Sequence, residues 1–442
     1  MALDFAHGSV AWLTTQALNT TIPVTGLGFA PKALRFYWVG LRSDSPTNAN
    51  SQAVNERRGV GFASSTTSRA TVGTTSLNAS GNSDCGSIWS NTACVITVSA
   101  AGAVDGLLDI SSFDANGFTL IVDDVVPQNI TVFWEAWGGT DITNITIGAI
   151  AEPAATGLQN YTATGFEASP TKVTDQCIMF AGVQTVNASG VGQQQDSGLH
   201  VGFVAQARSG GGILTPEGIT VCGNSDDASG TMDTDGFNSS GGLCISMIVI
   251  AGGNPNAYAS INNYGANSFT LNWAARATTN RRSIYMAIKG GTWEAGIVTI
   301  DGNVLNQQSG FSVPYTAKGI SVIGAMKPAS ATLPTPVSTV QDRIGFGSGK
   351  STTSRNSAAI LDTDNVGASE INTSINYSDV LVYPSTTGTL QTAYDLSVFT
   401  GTTVTFIVAT AGGVTGEEIY YLVFGDQGRK LAPVSIGHPF IC

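Results

Sequence analysis

The feature that most constrains this chain is a threefold internal repeat with a period of about 140 residues. Four short signatures occur in the same order three times along 442 residues. The clearest is an apolar residue followed by Gly-Phe, at residues 60–62, 201–203 and 344–346. Copies one and three continue with the same five residues, Ser-Thr-Thr-Ser-Arg, at 65–69 and 351–355. A period of this length is that of a domain, far above the roughly 20–50 residues of solenoid repeats.

The other three signatures follow the same spacing. One is a Gly-Phe followed by a Pro, a Lys and an apolar strand that ends on Gly, at residues 28–40, 165–182 and 310–324. Another is a strand near Phe-Thr-Leu, at residues 118–122, 269–273 and 404–408. The last is a closing aromatic strand that ends on Gly, at residues 130–138, 284–290 and 419–425. We therefore predict three tandem domains of one fold, at residues 1–140, 141–292 and 293–442. Strand-like segments connect the copies at residues 144–150 and 293–300, and similar segments lie at the two ends of the chain, at 5–12 and 433–436. Because none of them resembles a flexible linker, we expect the three domains to be held rigidly together.

Within each copy the pattern is that of a β protein. Short runs rich in Val, Ile, Thr, Phe and Tyr alternate with clusters of Gly, Asn, Asp and Ser. The sequence thus predicts an all-β fold of three tandem homologous β-sandwich, jelly-roll-like domains. Asp301-Gly-Asn303 has the chemistry of a hairpin turn. We expect short helical turns only at residues 105–113 and 390–396.

Composition excludes several classes of protein. Only 11% of residues are charged and the net charge is −12. Nucleic acid is not an expected partner, because binding it requires clustered Lys and Arg, and the pairs at 57–58 and 281–282 stand alone. No apolar run approaches the roughly 20 residues of a membrane-spanning helix, so membrane insertion is not expected. The start of the chain lacks the basic segment of a secretory signal peptide.

Six cysteines leave two interpretations open. Cys85 is close enough in sequence to Cys94 to form a disulfide, and Cys222 and Cys244 hold comparable places in the second copy. Cys177 and Cys442 have no evident partner. We favour buried free thiols, because cysteine behaves as a small hydrophobe.

Two acidic segments are the candidates for a metal site. Asp233-Thr-Asp235-Gly resembles half of a calcium loop, but the twelfth position is Cys244, which excludes an EF-hand. Asp233 and Asp235 remain weak candidates for another calcium or sodium site, with a solvated hairpin tip as the alternative. Asp362 and Asp364 allow the same two interpretations. No cofactor is predicted.

None of the candidate catalytic motifs in the sequence is complete. Residues 345–352 contain the Gly-Lys-Ser-Thr of a phosphate loop, but the first glycine is misplaced by one position and no helix follows. The three histidines are His7, His200 and His438, and His200 has no counterpart in the other copies. A Gly-x-Ser-x-Gly elbow with a partner is missing. We predict no enzyme, although the carboxylate pair of a glycan-degrading enzyme would need no local motif.

The closing aromatic strand of copy one, with Phe133, Trp134 and Trp137, has two possible roles. Exposed rings could stack on sugars, whereas buried rings would belong to the core. Because the other copies carry this strand too, we favour the core. Tyr37 and Trp38 are interpreted in the same way.

The repeat unit resembles one found in structural proteins of tailed bacteriophages. The residues that carry the resemblance are 28–33, 60–65 and 109–120. The resemblance implies a component of the virion: a tail fibre, a baseplate-associated protein or a capsid decoration. We therefore expect a non-enzymatic structural protein that contacts other virion proteins and associates with itself in a symmetric assembly. The alternative is a carbohydrate-binding adhesion module that recognises glycans on the host surface.

Overall fold

The computed structural model describes residues 2–42, 48–52, 55–77, 84–168, 175–185, 187–194, 197–208, 214–225, 234–239, 242–248, 255–277, 281–328, 341–363 and 370–426. Over these ranges the chain is built of strands, turns and loops, which confirms the predicted all-β class. No helix in them has the length and apolar character that crossing a membrane requires.

The first set of strands forms a large sheet and a small one. Its strands are β1 (Asp4–Trp12), β2 (Thr21–Thr25), β3 (Pro31–Val39), β4 (Ala49–Gln52), β5 (Glu56–Ala63), β6 (Arg69–Ser76), β7 (Cys85–Ser90), β8 (Val95–Val98), β9 (Val104–Asp114), β10 (Gly117–Asp124) and β11 (Ile130–Gly138). The large sheet has the order β1-β11-β3-β5-β6-β7, and the small sheet has the order β2-β10-β9-β8. We call this set repeat 1.

The second set, repeat 2, follows the same plan. Its strands are β12 (Asn144–Ala151), β13 (Gly157–Thr162), β14 (Gln176–Val183), β15 (Gln193–Gln194), β16 (Leu199–Arg208), β17 (Leu214–Ser225), β18 (Thr234–Ser239), β19 (Leu243–Ile248), β20 (Pro255–Gly265), β21 (Ser268–Ala275) and β22 (Arg282–Lys289). The orders are β12-β22-β14-β16-β17-β18 and β13-β21-β20-β19.

The third set, repeat 3, completes the pattern. Its strands are β23 (Thr292–Ile300), β24 (Gln308–Ser312), β25 (Ala317–Pro328), β26 (Asp342–Gly349), β27 (Arg355–Asp362), β28 (Ile371–Asn376), β29 (Leu381–Pro384), β30 (Leu390–Thr400), β31 (Thr403–Thr410) and β32 (Glu417–Gly425). The orders are β23-β32-β25-β26-β27-β28 and β24-β31-β30-β29. A parallel pairing of Gln206 in β16 with Glu294 in β23 joins the large sheets of repeats 2 and 3 into one thirteen-stranded sheet, which also contains β4.

Each large sheet buries both of its faces. In repeat 1, Phe36 and Leu34 pack with Phe118 of the small sheet in an apolar cluster of their own. Repeats 2 and 3 have equivalent clusters between their two sheets. The opposite faces of the three large sheets meet in a single larger cluster, to which Phe62 and Phe203 both contribute. The centre of the molecule is therefore a core that all three repeats share.

A glycine beneath an aromatic ring fixes the register of the first and last strands in each repeat. The glycine pairs with the aromatic residue, and a Cβ added to it would lie 2.4–2.5 Å from the ring or its hydroxyl. The pairs are Gly8 with Trp134, Gly148 with Tyr285 and Gly296 with Tyr421. Following the ladders from these pairs aligns the three repeats residue by residue.

This alignment corrects the sequence signature in copy three. Gly61, Gly202 and Gly347 occupy the same position, because each pairs with the β3, β14 or β25 residue that lies beside the aromatic. Phe346 precedes its glycine and therefore takes the place of Val60 rather than that of Phe62. A Cβ on Gly61 would lie 1.7 Å from the carbonyl oxygen of Cys94. The signature thus marks close approach of the two sheets, for which glycine is required.

Two local predictions are wrong. The segments expected to be helical turns are the strands β9 and β30. Each carries a β-bulge, at Ser111 and at Ser397, where an extra residue breaks the alternation of buried and exposed side chains. The Asp301 turn forms, with its carboxylate accepting a hydrogen bond from the Asn303 amide at 3.1 Å, but it joins two sheets instead of closing a hairpin.

The repeats are also linked by strand pairing. The β3–β5 connection of repeat 1 contributes β4, which pairs with β28 of repeat 3. The corresponding connection of repeat 2 contributes β15, which pairs with β7 of repeat 1. The predicted connectors at 5–12, 144–150 and 293–300 lie in β1, β12 and β23, each of which pairs with the last strand of its own repeat. The segment 433–436 lies outside the described residues.

Candidate functional site

The three repeats converge on one structurally equivalent position. Glu56, Ser197 and Asp342 each lie five residues before the glycine that aligns the repeats. All three are fully buried. They stand at the same end of the shared core, where β5 and β26 begin and where the chain enters β16. A side chain that reaches this level can therefore contact all three repeats at once.

Arg58 of repeat 1 makes those three contacts. Its Nε lies 2.6 Å from Oε1 of Glu56 and its Nη1 lies 2.6 Å from Oδ2 of Asp342. Its Nη2 donates a hydrogen bond of 2.7 Å to the carbonyl oxygen of Ser197. Thr74 supports the arrangement by donating to Oε1 of Glu56 at 2.9 Å. One planar guanidinium thus ties together the equivalent positions of three repeats.

The charges around Arg58 have no contact with solvent. The side chains of Arg58, Glu56 and Asp342 are 0% exposed, and Asp362 is buried beside them. Burial raises the pKa of Asp342 to about 6, against the lowering effect of Arg58. Burial also raises the pKa of Glu56 well above its ordinary value, and the charges of Asp362 and Asp342 raise it further. The cluster is buried away from solvent and joins residues of all three repeats.

Lys327 extends this cluster into repeat 2. Its Nζ donates to the carbonyl oxygen of Gly236 in β18, and its own carbonyl oxygen accepts a bond of 3.4 Å from Asn238. The amide of Asp342 donates to Oγ1 of Thr234 at 3.3 Å. The end of β25 and the start of β26 are therefore fastened to the edge of the repeat 2 sheet.

A second buried ion pair lies deeper in the shared core. Arg35 and Glu135 are both 0% exposed and 3.0 Å apart. The Arg35 guanidinium lies 5.1 Å from the ring centroid of Phe203, which belongs to repeat 2, and 5.5 Å from that of Tyr37. Burial raises the pKa of Glu135, and Arg35 opposes that rise. This pair again connects two repeats across the centre.

The shared Ser-Thr-Thr-Ser-Arg segment fastens the two sheets of one repeat. Arg69 forms an ion pair of 2.5 Å with Asp109 of the small sheet, and Arg355 contacts Asp395 at 2.7 Å in the same place of repeat 3. The hydroxyl of the first serine in each segment accepts hydrogen bonds from the backbone amides two and three residues later. The pentapeptide that copies one and three share thus holds the two sheets of each of these repeats together.

Of the acidic candidates for a metal site, the structure describes Asp362 and the backbone of Asp235. Asp235 lies in β18, opposite Asn224, and Asp233 and Asp364 lie outside the described residues. Asp362 is buried beside Arg58, so it is neither a hairpin tip nor a surface ligand. Within the ranges given above, no three metal-ligating side chains are grouped to hold an ion.

The phosphate-loop-like segment and the histidines also have structural roles. Residues 345–349 lie in β26, with Gly347 packed on the carbonyl oxygen of Val380. His7 is partly buried, with Nε2 3.1 Å from the carbonyl oxygen of Ser354, and burial lowers its pKa to about 4. Burial lowers the pKa of His200 to about 3. His438 lies outside the described residues.

The cysteines and aromatic residues follow the interpretations that we favoured. Cys85, Cys94, Cys177 and Cys244 are buried free thiols, which excludes the two disulfides considered; Cys442 lies outside the described residues. The aromatic residues of the closing strand and its neighbour are core residues; Phe133, Trp134, Trp137, Tyr37 and Trp38 are all buried. A sugar-stacking platform on that strand is therefore excluded.

Sequence reasoning missed the Arg58 cluster. The signal was present as Glu56-Arg57-Arg58, three charged residues entering a strand that is otherwise apolar. Their partners, Ser197 and Asp342, lie more than 130 positions away in the chain. Comparisons of this chain with protein-family models, with curated proteins and with solved structures find no match.

Proposed function

We propose that this chain is a non-enzymatic structural component of a phage virion, in which three tandem homologous β-sandwich domains act as one rigid, approximately threefold body. The observation that carries the proposal is the single guanidinium of Arg58 bound to the equivalent position of all three repeats. Such a body suits a threefold position on a capsid or the axis of a tail fibre. The resemblance of residues 28–33 and 60–65 to phage structural repeats supports the virion as its location.

The strand order supports a sandwich more than a jelly roll. In each repeat, one small sheet covers one face of a six-stranded run, with an apolar cluster between them. The strands β3-β5-β6-β7 and β8-β9-β10 are consecutive antiparallel neighbours, which is a meander in each layer. The domain limits that we propose remain 1–140, 141–292 and 293–442.

The placement of titratable groups favours a structural role over a catalytic one. The carboxylates whose pKa values rise most clearly, such as Glu56, Asp342 and Glu417, are buried within packed sheets. A glycan-degrading enzyme needs a carboxyl pair that faces a cleft. These carboxylates face arginine, tyrosine or backbone groups instead, so they serve the fold.

Equivalent loops present exposed leucines that suit contacts with neighbouring proteins. Leu18 in repeat 1 and Leu305 in repeat 3 are 57% and 55% exposed. Each precedes an asparagine in the left-handed region, Asn19 and Asn306, whose amide donates to the small sheet at 2.7 and 3.0 Å respectively. Loops built alike in repeats 1 and 3 can make the same contact twice, which suits a regular arrangement of neighbouring proteins.

Immunogold electron microscopy of purified virions tests this proposal. We expect an antibody against this chain to label either heads or tails at a fixed position. Virions assembled with the variant Leu18→Ser, Leu305→Ser should carry less of the protein, whereas Thr67→Ala, at an exposed hairpin tip, should be incorporated normally. Label on neither head nor tail would overturn the proposal.

A further inference from the structure

An open groove lies where repeat 1 meets the beginning of repeat 2. Its volume is about 520 Å³, within the range of small-ligand sites. The wall from repeat 1 comprises Lys32, Phe113 and the hairpin residues 64–66, and the wall from repeat 2 comprises residues 142–145. The groove is thus formed by the junction itself and by neither repeat alone.

Lys32 supplies a positive charge that the protein does not neutralise there. Its side chain is exposed, and Nζ donates one hydrogen bond of 2.7 Å to the carbonyl oxygen of Ile142. An ammonium group has three donors, so two remain for a ligand. Among the described residues, no carboxylate lies within ion-pair distance of Lys32. Lys318 occupies the same place in repeat 3, but its Nζ lies 3.1 Å from Oδ2 of Asp426.

The rest of the lining is rich in hydroxyl groups and contains one aromatic face. Ser64, Thr66, Thr143 and Asn144 line the groove with three hydroxyl groups and an amide. The Thr143 hydroxyl donates to the carbonyl oxygen of Lys289 at 3.4 Å, and its oxygen can still accept a hydrogen bond. Phe113 is half-buried, because one side of its ring packs on the core of repeat 1. Hydroxyls and an amide beside an aromatic ring suit a sugar, which presents hydroxyl groups on its edge and C–H groups on its face. The unpaired ammonium selects a sugar that carries a carboxylate.

We propose that this groove binds an acidic saccharide, a sugar ring whose carboxylate contacts Lys32 while its apolar face rests on Phe113. The remaining hydroxyl groups of the ring would bond to Thr143 and Asn144 on the opposite wall. A polyanion such as nucleic acid fits less well, because the chain carries a net charge of −12 and the groove holds a single cation. The site would add ligand recognition to a protein whose other contacts are structural, and it does not depend on the virion assignment.

Two matched pairs of ligands test the charge directly. The full chain is titrated with digalacturonic acid and its dimethyl ester, and with 3′-sialyllactose and lactose, by saturation-transfer NMR and calorimetry. We expect at least one acid to bind about tenfold or more tightly than its neutral counterpart, as a charge-assisted hydrogen bond implies. Binding of neither acid, or equal binding of acid and neutral sugar, would overturn the proposal.

Two lysine variants locate the site. Lys32→Gln should weaken binding of the acid about tenfold or more, whereas Lys318→Gln, at the equivalent place in repeat 3, should leave it unchanged. The melting temperature of each variant checks that the fold is retained. Thr143→Ala, at an exposed position on the opposite wall, gives an independent measurement and should weaken binding several-fold. Equal affinity in Lys32→Gln and Lys318→Gln would show that the sugar binds elsewhere.

Discussion

The guanidinium of Arg58 lies 2.6 Å from the carboxylate of Asp342, although the two residues are separated by 284 positions in the sequence. The same guanidinium contacts Glu56 of its own strand and the backbone of Ser197 in repeat 2. A charge that is buried among two acids is stable only while all partners are present. This contact therefore reports whether the three repeats are assembled.

Removing the charge of Arg58 should destabilise the whole chain. Arg58→Met keeps much of the side-chain volume but leaves Glu56 and Asp342 buried without their cation. We expect a loss of about 3–5 kcal/mol in the free energy of unfolding, measured by chemical denaturation.

The control for this change is to neutralise the acids as well. Arg58→Met combined with Glu56→Gln, Asp342→Asn and Asp362→Asn should recover most of the stability, because the acids beside the missing guanidinium are then neutral. Lys318→Met, which removes a partly exposed ion pair, should cost less than about 1 kcal/mol. If Arg58→Met were as mild as Lys318→Met, the cluster would not hold the repeats together.

The repeated architecture could be predicted from sequence because its signatures are packing residues. Gly61 of the apolar-Gly-Phe signature packs where the two sheets approach closely, and the closing aromatic strand recurs in all three repeats. Residue alignment was less secure: Phe346 imitates Phe62 in sequence but lies two residues out of register. The apolar-Gly-Phe pattern cannot show whether the phenylalanine precedes or follows the aligned glycine, because residues two positions apart in a strand face the same side.

Other features depend on contacts that no local pattern contains. The bulges at Ser111 and Ser397 disturb the period of two, so β9 and β30 resemble turns of helix in sequence. Asp362 looks like a surface aspartate, but it is buried because repeat 3 faces repeat 1 across the shared core. The partners of Arg58 come from three separate parts of the chain, and only the assembled fold brings them together.

Replacing the glycine of the repeat signature should have an unusually large effect. In Gly61→Ala and in Gly347→Ala, the new Cβ would lie 1.7 Å from the carbonyl oxygen of Cys94 or Val380, the residue just before β8 or β29. The amide of each of these residues donates to the neighbouring strand of the small sheet, so the backbone cannot move aside cheaply and we expect each variant to lose about 3 kcal/mol or more. Thermal unfolding of these variants beside Thr67→Ala provides the comparison. Two variants with near-normal melting temperatures would contradict the close approach of the sheets.

Stability should fall as the pH rises from about 6.5 to 8. Burial raises the pKa of Glu417 to about 7, so the folded chain holds this proton more tightly than the unfolded chain does. The stabilisation is complete below the ordinary pKa of the carboxyl, about 4.5. It is lost as the pH rises towards and through 7, at up to about 1.4 kcal/mol per pH unit between the two pKa values and about half that rate at pH 7. Below about pH 6.5, His7 and His200 oppose this loss of stability. Their pKa values are lowered in the folded chain, so their contribution to stability increases as the pH rises.

The variant Glu417→Gln isolates this contribution. The neutral amide can keep the hydrogen bond with the Tyr394 hydroxyl, so the variant should show a flatter dependence of unfolding free energy on pH between 6.5 and 8. Asp124→Asn changes an exposed carboxylate and should leave the slope unchanged. An identical slope in wild type and Glu417→Gln would contradict the raised pKa.

The buried thiols should be unreactive in the folded protein. Burial raises the pKa of Cys85, Cys94, Cys177 and Cys244, which keeps them as thiols, and the reactive form is the thiolate. In a Cys222→Ser, Cys442→Ser background, we expect no thiol to react with Ellman's reagent before unfolding and four to react in guanidinium. Fewer than four after unfolding without reductant would indicate a disulfide.

The three repeats should unfold as one cooperative unit. Their large sheets share a single apolar cluster, to which Tyr37, Ala181 and Ile323 each contribute from the equivalent position of a different repeat. Separating one repeat would expose that face to water, and it would remove the pairing of β4 with β28 and of β15 with β7. We therefore expect a single calorimetric transition whose van't Hoff and calorimetric enthalpies agree. The isolated fragment 1–140 should be poorly ordered by near-ultraviolet circular dichroism. Three resolved transitions, or a fragment 1–140 as stable as the full chain, would show that each repeat is held by its own two sheets and that Arg58 and the shared core contribute little.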